Sequence, residues 1–264
     1  YSDPGSTSYE KLPRGLRRGI MHIAESLPAH RGVNFFVRKG KDLEERFIGN
    51  AYMFTPKDRK ALLKIHTNAP DPMAITKPYY DQVKDQDDVT KMQYLDLHLW
   101  MAGDILLKAD KMSMANSLEL RVPFLDKEVM ALAQRIPTRY RVIHKPSESG
   151  GTPYITKYAM RLAAKKDTPP QTAKTAAKKK LGFPVPIRVW LKEDTYYNMV
   201  KNTFEGNAAQ QFFHTEKLVQ LLDDHRAGKA DNSRKIWTVY MFLVWYHVYF
   251  ESDVIPTKPN VSCF

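Results

Sequence analysis

Between Asp104 and Asp126 the chain places ionisable side chains in a stretch otherwise fit for a buried helix. Asp104, Lys108 and Asp110 fall within seven residues, and Met112, Met114, Ala115 and Leu118 supply apolar packing around them. Charge in an apolar setting is costly unless it is paired or meets a ligand. Asp104 and Lys108 lie four apart and can pair on one helix face. At the surface these charges are a solvated face; inside, they are candidates for holding a charged ligand. Glu119 and Arg121 alternate across Leu120, so they point the same way in extended chain. There they fit a structural ion pair that fixes the turn at Pro123 better than direct catalysis.

A second group is Lys178-Lys179-Lys180-Leu181-Gly182-Phe183-Pro184-Val185-Pro186, with Trp190 beyond. A Gly-Phe-Pro turn beside a lysine cluster can hold one ammonium rigidly while the others stay solvated. Lysine is a point charge matched to phosphate or to an anion that develops during reaction. A basic loop without a ligand, or a nucleic-acid contact, is the alternative. Lys157 and Arg161 stand one helical turn apart and form a cationic face, or simply capping and surface charge. His225 sits near a helix end and reads as a hydrogen-bonded packing group rather than a ligand.

The elements that must position these groups read as helices nearly throughout. Leu16, Ile20, Ile23, Ala24 and Leu27 form one helical stripe ended by Pro28. Arg38 to Lys41 reads as a loop rich in Gly and Lys, and Asn68 to Pro78, with three prolines, as another. Thr55-Pro56-Lys57-Asp58 is a helix start. Asp87 and Asp88 open a long helix through Met92, Leu95, Leu99 and Ile105, with Gly103 as a potential break. Val122 to Asp126 is extended because the residue before Pro123 avoids the helical region, and Asp126 caps the next helix, which Pro137 stops. Thr156 is expected to cap a helix from Lys157 to about Lys165. Pro169 to Lys180 reads as a basic irregular connection. Helices follow over 193–204, 216–226 and 233–250. Alternation of β-branched runs with helices is lacking, which argues against a complete parallel sheet within these residues.

Composition sets outer bounds. The 264 residues carry 41 Lys and Arg against 29 Asp and Glu, a net charge of +12. From Arg139 to Lys192 there are thirteen basic residues and two acids, Glu148 and Asp167. Such a segment attracts anions, or is a solvated basic face. No run approaches the roughly 18 apolar residues of a membrane span, and the first twenty residues do not read as a secretory signal. The one cysteine, Cys263, excludes an internal disulfide and fits a reducing cytoplasm.

The Asp104–Asp126 run resembles the carboxy-terminal signature of the asparagine synthetases and related amidotransferases, D-x-L-x-K-x-D-x-x-S-M-A-x-S-x-E-x-R-x-P-F-L-D. The spacing K-x-G-F-x-V-P-x-x-x-W, a K-x-x-L-R-like stretch at Lys157–Arg161, and the closing H-x-x-G-x-x-D … I-W … W pattern from His225 to Trp245 resemble the same family. The resemblance implies a mainly α chain, the helical carboxy-terminal part of an α/β ATP-pyrophosphatase-type (PP-loop) synthetase domain. Within it, 1–90 is a helical lead-in, 91–192 the active-site half and 193–264 the closing helices. It implies that ATP activates aspartate as β-aspartyl-AMP and that glutamine-derived ammonia displaces AMP. Lys180 is the implied catalytic cation, although Lys178 stands where the family often has arginine. Asp104, Lys108, Asp110, Lys157 and Arg161 are the implied substrate or nucleotide pocket, with Glu119 and Arg121 a structural pair beside it and no metal ligands.

ATP and Mg²⁺ belong, on this resemblance, to the intact enzyme, with neither expected on this chain alone. The family's S-G-G-x-D-S-S loop is not found in the sequence; Ser149-Gly150-Gly151 lacks its Asp and paired Ser and reads as a turn. The glutaminase and PP-loop segments are therefore expected partners supplied from elsewhere, with a homodimer also open and neither membrane nor nucleic acid expected. Two alternatives stay open. One is a related adenylating amidotransferase of the β-lactam synthetase or peptide-cyclase type; the other is a basic helical nucleic-acid-binding module.

Overall fold

The computed structural model describes residues 9, 11–27, 31–49, 52–65, 68–144, 154–178 and 185–252. They are mainly α-helical, and the only sheet among them has two strands of three residues each. The chain forms two compact units, one of Tyr1–Ala51 with Pro70–Leu181, the other of Tyr52–Ala69 with Gly182–Phe264.

In the first unit α1 (Arg14–Glu25) packs on α2 (Arg31–Gly40), burying Met21, Ala24 and Val33. Arg38–Gly40 of the expected Arg38–Lys41 loop is instead the last turn of α2. Two cations there meet the negative end of the helix dipole, and at Gly40 the helices approach so closely that a Cβ would lie 2.4 Å from that of Met21. Asp42 and Glu45 form a capping box at α3 (Leu43–Arg46), and Arg18 pairs with Glu45 at 2.9 Å.

The expected Asn68–Pro78 loop is also largely helical, as α5 (Pro72–Gln82). Pro72 occupies the first helical position, where its missing N–H costs nothing, and Asp71 caps by accepting from the Met73 N–H at 2.8 Å. Pro78 lies inside α5, at a cost of about 3 kcal/mol in an isolated helix. Burial of Thr76 and Tyr80, and a 2.6 Å hydrogen bond from the Tyr80 hydroxyl to the Phe47 carbonyl, oppose that cost.

The long helix after Asp87 is present: α6 (Asp88–Leu95) runs through a π-helical stretch (Asp96–Leu106) into α7 (Leu107–Met114). Gly103 does not break it. A short 3₁₀ turn (Pro123–Leu125) and α8 (Lys127–Arg135) follow, with Asp126 capping α8 as expected. Beyond α9 (Thr138–Arg141), β1 (Val142–His144) pairs antiparallel with β2 (Tyr154–Thr156), Val142 opposite Thr156. Thr156 thus belongs to a strand and does not cap α10 (Tyr158–Asp167). That place is taken by Lys157 in the left-handed conformation, φ 57°. The expected irregular connection after Pro169 is helical over α11 (Pro170–Ala177), Pro170 serving as a first-turn residue.

A polar network joins α9 to the start of α6. Arg141 donates to Gln93 (2.7 Å), Thr90 (2.8 Å) and Thr138 (2.7 Å), while the Thr90 and Thr138 hydroxyls donate to Asp87 at 2.7 and 2.8 Å. Burial alone would raise the Asp87 pKa. Hydrogen bonds from Thr90 and Thr138 and the charge of Arg141 outweigh it and hold the carboxyl below its ordinary 3.8. A group with a depressed folded pKa stabilises above the unfolded value and loses that contribution as pH falls through the folded one. We therefore expect Asp87→Asn, which keeps a capping side chain, to be less stable than the parent at about pH 6. The gap should start to narrow as pH falls below about 4 and shrink further as the pH passes the depressed folded pKa. Urea titrations of both chains across that range check it; a gap independent of pH would show that the charge is not the stabilising feature.

The second unit holds the larger core. Helix α4 (Pro56–Leu62) starts at Thr55 as expected, through a Thr55–Asp58 capping box, and Asp58 pairs with Lys235 at 2.9 Å. The chain then forms α12 (Ile187–Trp190), α13 (Asp194–Glu205), α14 (Asn207–Phe212), α15 (Thr215–Arg226) and α16 (Ser233–Tyr246). Leu62, Val200, Phe204, Leu218, Leu222, Ile236 and Leu243 interlock in its centre. An antiparallel bridge, Leu63 opposite Phe213, ties the chain beside α4 to the end of α14.

Candidate functional site

The expected pair Asp104–Lys108 forms, at 3.5 Å, on the helix running from the π-helical stretch into α7. Asp104 also accepts from the Trp100 indole N–H at 2.9 Å, so one carboxylate is held from both neighbouring turns. Its oxygens are thereby committed on the near side and open to solvent on the other. Asp110, six residues on in α7, forms no ion pair with Lys108 among the described residues.

The setting differs from the expected buried helix. The Asp104 and Lys108 side chains are 51% and 62% exposed, and α7 buries no residue. Met112, Met114, Leu118, Leu120 and Phe124 are exposed as well. Apolar residues along a sequence do not say what covers them. Within this unit nothing covers them among the described residues, so the charges sit on an open face, where an ion pair contributes at most about 1 kcal/mol.

Glu119 and Arg121 pair at 2.8 Å in the irregular chain between α7 and the 3₁₀ turn, and both are well exposed. One feature of this run escaped sequence reasoning. Ser117 adopts φ 55°, and the N–H of Leu118 reaches back to the Ser113 carbonyl at 2.9 Å, closing α7 with a left-handed residue. Glycine is the usual occupant, and a serine there is strained by about 1–2 kcal/mol. Ser117 and Lys157 are the two non-glycine residues with positive φ among those described, and each lies within a segment singled out above.

Lys157 and Arg161 do not form an outward cationic face together. Lys157 is exposed, whereas the Arg161 guanidinium turns onto the backbone. Its Nε donates to the Thr156 carbonyl at 3.0 Å, and its Nη1 to the carbonyls of Ala176 and of Lys178, the latter at 3.1 Å. Lys179, Lys180 and the Gly182-Phe183-Pro184 turn lie outside the described residues. Trp190, at the end of α12, stacks on Tyr196 with ring centroids 5.6 Å apart. His225 is buried and structural: its Nδ1 accepts from the Asn232 N–H at 3.3 Å, so its Nε2–H donates to the Arg188 carbonyl at 2.9 Å. Among the described residues no hydrogen bond or ion pair joins the Asp104–Lys108 pair to the Arg161 group. Nor, among the described residues, does any group of three His, Cys, Asp or Glu side chains take a metal-holding arrangement.

The family profile described as asparagine synthase matches residues 11–247. The chain belongs to the asparagine synthase family. Asparagine synthetase [glutamine-hydrolyzing] 1 of Bacillus subtilis is 43% identical over 260 residues, covering 98% of this chain and 39% of the relative. Putative asparagine synthetases [glutamine-hydrolyzing] of Mycobacterium bovis and Mycobacterium tuberculosis are 37% identical over 264 residues, covering 97% of this chain and 38% of each relative. The chain thus spans about two fifths of the length of the curated relatives it matches. No solved structure matches it. Membership agrees with the helical architecture and with the resemblance of the Asp104–Asp126 run. Among the described residues no helix is long and apolar enough to cross a membrane.

Proposed function

We propose that this chain is part of an ATP-dependent ligase that converts aspartate to asparagine through β-aspartyl-AMP, with ammonia derived from glutamine. The reading is carried by 43% identity, across nearly the whole chain, to a protein named as a glutamine-hydrolysing asparagine synthetase. An aspartate carboxylate oxygen attacks the α-phosphorus of ATP and pyrophosphate leaves; ammonia then attacks the activated carbonyl and AMP leaves. Both steps build negative charge on oxygen, where a fixed cation gives most. Lys180 takes that role in this reading. The Asp104–Lys108 pair lines the same pocket, with Lys108 held by Asp104 and directed at an anionic part of the substrate. Asp110 and Lys157 belong to the pocket wall.

The chain by itself is expected to have little or no synthetase activity, since it spans two fifths of its relatives. Aspartate-dependent ATP–pyrophosphate exchange measures this directly. A polypeptide of the relatives' full length carrying this chain should catalyse it, and the 264-residue chain should not. Exchange by the short chain would remove the claim that it is incomplete. Exchange by the long one with another acid but not with aspartate would remove the assignment of substrate.

A further inference from the structure

We propose that Arg161 is a positioning residue: it anchors the backbone at the end of α11 and so sets where the chain departs towards Lys180. The inference rests on the reading of Lys180 as the working cation. Three segments meet at this guanidinium. Thr156 ends the β1–β2 ladder, Arg161 itself sits in the first turn of α10, and Ala176 and Lys178 end α11. Ala176 and Lys178 offer carbonyls that α11 leaves without intrahelical partners. A guanidinium there satisfies them and meets the negative end of the helix dipole.

Donor arithmetic separates this role from nucleotide binding. A guanidinium has five N–H donors: one on Nε and two on each terminal nitrogen. Nε and both Nη1 hydrogens go to Thr156, Ala176 and Lys178. Both two-pronged faces of the group include one of these committed nitrogens. A phosphate or carboxylate binding bidentately would have to displace a backbone carbonyl. Lys180 is two residues beyond the anchored Lys178, at most about 7 Å of extended chain. A backbone fixed that close limits where an ammonium can sit, and an error of about 1 Å in a reacting group can cost about 100-fold in rate.

The test uses Arg161→Gln and Arg161→Lys in a polypeptide of the relatives' full length, with Lys180→Ala beside them. Lysine keeps the charge but cannot reach three carbonyls. Both Arg161 variants should exchange the amides at the end of α11 roughly ten-fold faster or more, with amides of α13 and α15 unchanged as a control on folding. Both should lower kcat for ATP–pyrophosphate exchange by about 100-fold, with KM for ATP little altered. Unchanged amide exchange at α11 would overturn the proposal. So would an effect confined to KM for ATP and rescued by Arg161→Lys, which would mark a nucleotide contact. Lys180→Ala separates the two claims. Full activity in that variant overturns the reading of Lys180 and this inference with it. Loss there with full activity in Arg161→Gln overturns this inference alone.

Discussion

Replacing Lys180 with alanine, in a polypeptide of the relatives' full length, is expected to lower kcat for aspartate-dependent ATP–pyrophosphate exchange by about 100- to 1,000-fold. That is the usual loss when one fixed group facing a developing charge is removed. The effect should fall on kcat more than on KM, because the charge that Lys180 meets is greatest in the transition state. Lys178→Ala and Lys179→Ala are the matched comparisons. Each removes the same side chain from the same basic stretch, so a loss of general positive potential would weaken all three alike. Only Lys180 has the spacing to the Gly182-Phe183 turn that fits the family pattern. Equal losses in the three variants would show that the stretch acts as a diffuse cationic surface and that no single ammonium is singled out.

Phe204→Ala is expected to be the most damaging single change to stability. Phe204 is completely buried near the end of α13, in the core of the second unit. Removing a fully enclosed phenyl loses its transfer free energy and leaves a cavity, together about 4 kcal/mol. That is a large share of the roughly 5–15 kcal/mol by which a domain is stable. For a unit of this size a drop in Tm of roughly 15 °C or more is expected. Phe124→Ala is the contrast. Phe124 is 69% exposed in the 3₁₀ turn after Val122, and its truncation should change stability by no more than about 0.5 kcal/mol. Thermal unfolding of the two variants decides the matter, and similar shifts would mean that Phe204 is not enclosed in the core.

Local chemistry was legible where it is decided by near neighbours. The expected caps at Thr55 and Asp126 form, and the helix expected to open at Asp87 and Asp88 is capped by Asp87, because a side-chain oxygen and the N–H groups two or three residues on are all it takes. The Asp104–Lys108 and Glu119–Arg121 pairs formed for the same reason. Arg38–Gly40 is helical rather than a loop because Gly40 lets two helices pack closely there. Most of Asn68–Pro78 and the connection after Pro169 are helical because proline does not only break helices. Pro72 and Pro170 instead open helices, and burial of Tyr80 and Thr76 carries α5 through Pro78. Nothing in the sequence reported the left-handed Ser117 and Lys157, since their conformations answer to the segments that close on them.

By itself the sequence determined the family, the helical class and the residues on which chemistry could rest, because motif spacing and helical period are written along the chain. Only the tertiary structure decided that Arg161 faces backbone carbonyls and that the Asp104–Asp126 run lies open. Both depend on which distant segments come alongside, and that is set by packing of whole elements rather than by any residue's neighbours in sequence.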